Sequence, residues 1–123
     1  MTRDIALLRD ILLQVRERPE PLRSLDPRIE GRDELTVSYH VMLLHQAGLI
    51  EGDDRSALGI FRWTARTLTW AGHELADLMA DAGLWHRAQA ALAANPALNV
   101  EALQRLMTAW AVEASAGQPV AGV

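Results

Sequence analysis

Apolar positions near the start of the chain recur with a helical period. Ile5, Leu8, Leu12 and Val15 fall on one face, and Leu7 and Ile11 widen the stripe, which predicts an amphipathic helix running to about Arg18. Thr2 is the expected N-cap, and Asp4 falls in the first turn, where the helix dipole favours a carboxylate. Pro19 and Pro21 end the helix, since proline offers no amide hydrogen and restricts the residue before it. Leu22–Leu25 reads as a short edge strand. Asp26-Pro27 and Glu30-Gly31 then punctuate a loop.

The stretch from Thr36 to Trp70 organises the rest. Carboxylates at Asp33 and Glu34 precede a helix carrying Val37, Val41 and Leu44 on its apolar stripe, and Gly48 suits a left-handed C-cap. Leu49-Ile50 begins a strand, and Gly52-Asp53-Asp54 supplies turn residues for a hairpin tip. Gly59–Thr64 is the expected return strand, with Ile60, Phe61 and Trp63 providing β-favouring bulk. Thr69 can cap a further helix bearing Leu75, Leu78 and Met79, which Gly83 breaks. Leu84, Trp85, Ala88 and Leu92 continue as an Ala-rich helix stopped at Asn95-Pro96. A last helix follows Asn99, with Val100, Leu103, Met107 and Trp110 on one stripe.

This order predicts an α+β fold: a winged helix-turn-helix with a small antiparallel wing sheet and additional C-terminal helices. Residues 1–114 form one domain, its helical extension covering about residues 70–112, and residues 115–123 read as a disordered tail. The length suits a single domain. No apolar run approaches membrane-spanning length, the start lacks the uninterrupted apolar region of a signal peptide, and there is no cysteine. A soluble, cytoplasmic protein is expected.

Charge and chemistry narrow the function. The net charge is −4, and all 12 cations are Arg. Net acidity lowers the expectation of nucleic-acid binding without forbidding it, because a local basic face decides the matter. No catalytic motif is present, which argues against an enzyme. His40, His45, His73 and His86 lack metal-ligand spacing, although His73 and Asp77 share a helix face; His40 and His73 read as half-buried structural residues, and neither metal nor cofactor is expected. Trp63, Trp70, Trp85 and Trp110 lie in apolar contexts and are assigned to the core.

The string Y-H-V-M-L-L-H-Q-A-G-L-I, a hairpin, and then L-T-W-A-G-H-E-L resembles small winged-helix regulators of the ArsR and MarR type. Together with the M-x-R-D start, these motifs resemble more specifically an uncharacterised domain-of-unknown-function family common in bacteriophages and prophages. That resemblance implies a fold and a phage association and no established activity. A regulator's DNA-reading face maps onto Ser38, Tyr39 and Met42. The predicted helix from Thr36 to Gly48 departs from such regulators in carrying no Arg or Lys.

Two functions follow as expectations. The first is a non-enzymatic DNA-binding regulator in which Ser38, Tyr39, Met42 and Gln46 read the groove of double-stranded DNA and Arg55, Arg62 and Arg66 hold its backbone. Arg28 and Arg32 add charge, which Asp53 and Asp54 at the expected tip oppose. The second is a protein-interaction module, for example a phage-encoded inhibitor of a host protein, using the same neutral helix face. The last helix also offers a surface for a homodimer.

Overall fold

The computed structural model describes residues 1–20 and 23–116. Five helices and a two-stranded antiparallel hairpin make an α+β fold: α1 (Ile5–Arg16), α2 (Glu34–Gln46), β1 (Ile50–Asp54), β2 (Trp63–Leu68), α3 (Trp70–Ala80), α4 (Ala82–Ala94) and α5 (Val100–Ala116). Two compact units divide the chain, Met1–Ala76 and Asp77–Val123, with the boundary inside α3.

In the first unit α1 buries Leu7, Leu8, Ile11, Leu12 and Val15 of the stripe its spacing predicts and leaves Ile5 half-buried. Its N-cap is Asp4 rather than Thr2. The Asp4 backbone is extended, and its carboxylate accepts the Leu7 amide at 3.2 Å. The helix stops at Arg16, two residues short of expectation. Arg18 instead turns its guanidinium to the carbonyls of Ala65 and Arg66.

Asp33 caps α2 by accepting the Thr36 amide at 2.7 Å. That amide, with the Thr36 hydroxyl, holds the Asp33 carboxyl below its ordinary pKa. The other end is closed by Gly48 at φ +75°, a left-handed position suited to a residue without a Cβ. Val37, Val41 and Leu44 are buried. Between α1 and α2 the described residues contain no helix, and they include a turn closed by the Arg32 amide on the Ile29 carbonyl. The expected edge strand is reduced to one bridge, where Leu25 and Ala65 exchange both backbone hydrogen bonds at 2.6 and 2.8 Å. Pro21 and Leu22 lie outside the described residues.

The hairpin departs furthest from expectation. Gly52, Asp53 and Asp54 are not its tip but the body of β1, and the return strand is β2 at Trp63–Leu68 rather than Gly59–Thr64. The register pairs Ile50 with Leu68 and Asp54 with Trp63, with a bulge between Glu51 and Gly52. Pairing continues outward, the Arg55 amide donating to the Arg62 carbonyl at 2.8 Å. Ala57 and Ile60 then close the hairpin with reciprocal hydrogen bonds of 3.0 and 2.9 Å. The turn is Leu58-Gly59, with φ +52° and +78°: two consecutive left-handed residues, as the right-handed twist of a hairpin demands of a two-residue loop.

Thr69 caps α3 as expected, its hydroxyl accepting the Gly72 amide at 3.1 Å and donating to the Gly48 carbonyl at 2.6 Å. Gly72 lets α3 press on the chain before β1, since a Cβ there would stand 1.9 Å from the Leu49 carbonyl oxygen.

In the second unit the break between helices falls at Asp81, not Gly83. Asp81 leaves α3 and caps α4 by accepting the Leu84 amide at 2.9 Å, so Gly83 sits inside the first turn of α4. Asn95 ends α4, and the Asn99 side chain accepts the Ala102 amide at the start of α5. The helices pack with Trp85 and Ala88 of α4 and Leu103 and Met107 of α5 buried. Arg87 lies 4.4 Å over the Trp110 ring. The last helix continues through Ser115 and Ala116, and the rest of the expected tail, residues 117–123, lies outside the described residues. Among the described residues no helix is long and apolar enough to cross a membrane.

Candidate functional site

The residues singled out in the sequence divide between α2 and the hairpin. On α2, Ser38 does not stand on the outer face. It is 5% exposed, and its hydroxyl accepts the Trp63 amide at 3.3 Å, tying the helix to β2. Tyr39 and Met42 are half-buried, with the Tyr39 ring edge-on to His40, and Gln46 is exposed. Leu35, one residue before the expected start of the helix, is 52% exposed. It shares a stripe with Tyr39, Met42 and Gln46 at helical spacing, a signal legible in the sequence had the helix been started two residues earlier. The stripe carries no formal charge.

His40 is buried rather than half-buried. Its Nε2 accepts the Asp4 amide at 2.9 Å and its Nδ1 faces the Thr36 carbonyl at 2.8 Å, so the ring joins the start of α1 to α2. Asp4 is also paired with Arg32. Burial alone raises the Asp4 pKa, but the Arg32 guanidinium and the Leu7 amide outweigh it and hold the carboxyl below its ordinary value. Of the other imidazoles, His45 accepts the Gly52 amide and lies beside the Trp63 ring, whereas His73 is exposed. No group of three His, Asp or Glu among the described residues is placed to hold a metal ion. Trp70, assigned to the core from its context, is 82% exposed, its indole donating to Glu74 at 2.6 Å.

The hairpin arginines are largely matched by carboxylates. Arg66 pairs with Asp53 at 2.9 Å, and Arg62 with Asp26 at 2.9 Å. Arg55 reaches only the Ser24 hydroxyl, at 3.4 Å, and no carboxylate among the described residues. Arg28 and Arg32 are likewise paired, with Glu34 and Asp4. Asp53 is not at the tip as expected but in β1, where it pairs with Arg66. Asp54 folds back on Ser56, whose hydroxyl and amide hold its pKa below the ordinary value.

What does stand at the tip is apolar. Leu58 is fully exposed and Ile60 is 67% exposed. Behind them the Arg55 amide donates to the Arg62 carbonyl across the hairpin, and the two guanidinium groups reach Ser24 and Asp26 of the same preceding segment. Sequence reasoning missed this arrangement because Gly-Asp-Asp carries stronger turn composition than Leu-Gly. The mirrored spacing of Arg55 and Arg62 about Leu58-Gly59 was the available signal.

A family model described as "Hypothetical protein (DUF2513)" matches residues 2–98. The chain belongs to that family. A similar protein from Haemophilus influenzae, described as an uncharacterized protein, is 45% identical over 87 residues, which is 70% of this chain and 74% of the relative. No solved structure matches the chain. The DUF2513 match takes in α1, α2, the hairpin, α3 and α4, and it ends before α5. Neither description states a function.

Proposed function

We propose that this DUF2513 protein is a non-enzymatic, double-stranded-DNA-binding protein of winged-helix descent, a phage- or prophage-associated transcriptional regulator, that grips DNA mainly with its hairpin. The observation that carries the reading is that Arg55 and Arg62, joined by a backbone hydrogen bond across the hairpin, are both exposed near its end. Arg55 meets no carboxylate among the described residues, and a polyanion supplies the missing countercharge. The order of a helix, a glycine stop and a hairpin flanked by the Leu25 bridge supports the winged-helix ancestry. With no helix between α1 and α2 among the described residues and no Arg or Lys on it, α2 has a minor part in this reading. Ser38 serves the fold, while Tyr39, Met42 and Gln46 make neutral contacts.

Binding of the purified protein to random-sequence duplex DNA, followed by fluorescence anisotropy through a salt series, tests this. Two phosphates neutralised give a slope of about −1.8 in log affinity against log salt. No binding at low salt sinks the reading.

A second reading has its own observation. The uncharged stripe of Leu35, Tyr39, Met42 and Gln46 suits a protein partner, such as a host protein that a phage product inhibits. Association through it is insensitive to salt and weakens by about 2 kcal/mol or more on Tyr39→Ala or Met42→Ala. A copy of the chain bound through α5 is a homodimer alternative, which sedimentation tests.

A further inference from the structure

Leu58 has no side-chain packing role in the fold. It is fully exposed, so its side chain buries nothing, and its backbone is left-handed at φ +52°, where a leucine is strained and Asn, Asp or Gly sits comfortably. Strain kept at a position with no packing return points to a binding task. Ile60, beside it on the returning arm, is also exposed. Arg55 and Arg62 stand two register steps behind the Ala57–Ile60 pair, about 7 Å along the hairpin. The minor groove of B-DNA is about 7.5 Å deep.

We propose that Leu58 is a wedge, inserted through the minor groove between adjacent base pairs of duplex DNA, with Arg55 and Arg62 on the phosphates at either lip. This rests on the DNA-binding reading above and adds to it a mode of contact: distortion of the duplex by an apolar tip. Apolar side chains that unstack a base step, flanked by cations on the backbone, are a general means of bending DNA. The charge complementarity lies in the arginine pair. Arg55 is free of any carboxylate among the described residues, and Arg62 holds Asp26 in an exposed pair that phosphate can displace. The wedge favours easily unstacked pyrimidine–purine steps over rigid A-tracts.

The experiment uses the full chain and a duplex carrying 2-aminopurine at TpA steps, whose fluorescence rises when the base unstacks, with anisotropy read in parallel. Wild type raises the fluorescence. Leu58→Asn, which suits the left-handed turn, still binds with an unchanged salt slope but gives no rise. Arg55→Gln lowers the salt slope by about one. A rise that survives in Leu58→Asn overturns the wedge while leaving DNA binding intact. Failure of the wild type to bind at low salt overturns both. Binding to phosphatidylserine-containing vesicles without binding to duplex overturns them too, and assigns the tip to a membrane surface.

Discussion

The strain at Leu58 makes a stability prediction that is independent of any ligand. Replacing Leu58 by Asn puts Asn-Gly, the preferred sequence of a two-residue left-handed turn, at the hairpin tip. A non-glycine residue held in the left-handed region costs about 1–2 kcal/mol, of which Asn escapes a large part through local hydrogen bonding. The leucine is fully exposed, so no burial is forfeited in exchange. The net expectation is a gain of about 1 kcal/mol, or about 4 °C in midpoint for a chain of this size. Urea and thermal unfolding followed by circular dichroism measure it. Leu58→Ala is the control: it keeps the Cβ and hence the strain, so its stability stays within about 0.5 kcal/mol of wild type. The reasoning is refuted if Leu58→Asn is neutral or destabilising, or if Leu58→Ala loses 1 kcal/mol or more, because the side chain would then be holding part of the fold.

Other substitutions probe the frame behind the hairpin. Gly72→Ala drives a Cβ into the Leu49 carbonyl and forces α3 off its seat, with an expected loss of about 3 kcal/mol or more in denaturant unfolding. Thr64 is buried, and its hydroxyl has no hydrogen-bond partner among the described residues; Thr64→Val keeps the shape, removes that polar group and is expected to stabilise by about 1 kcal/mol. The lowered pKa of Asp4 adds stability that is fully present above the ordinary carboxylate range, near pH 4, and lost as pH falls through the lower folded value. An acid titration of Arg32→Gln therefore declines less steeply below pH 4 than wild type. Asp4→Ala, which also removes the α1 cap, costs about 1 kcal/mol at neutral pH.

Periodicity made the helices legible. The buried positions of α1 are those of its stripe, and Thr69, Asp33, Gly48 and Asn99 mark helix ends where their chemistry suggested. The errors have local physical causes. Gly83 and Gly52 look like punctuation, yet one sits in the first turn of a helix capped by Asp81 and the other at a strand bulge. Ser38 looked available because serine is polar, but its hydroxyl satisfies a backbone amide of β2, a partner 25 residues away that composition does not reveal. Trp70 looked buried because its sequence context is apolar. Its indole finds Glu74 one turn along, which meets the polar requirement of an exposed ring without a core around it. The exposed arginines were legible as residues, and their carboxylate partners were not.

Those partners bear on where an anion can bind. Displacing Asp53 from Arg66 or Asp26 from Arg62 replaces one charge pair with another, and leaves a carboxylate close to the incoming phosphate. Arg55 lacks that competition, so a phosphate there gains most of its attraction outright. Arg55 and Arg62 thus differ, despite their mirrored places on the hairpin: Arg55→Gln is expected to lower DNA affinity more than Arg62→Gln or Arg66→Gln does, and Asp26→Asn to raise affinity by freeing Arg62. A reversed order, with Arg66 dominant, would move the contact from the hairpin's tip to its base, where Leu58 cannot reach the duplex.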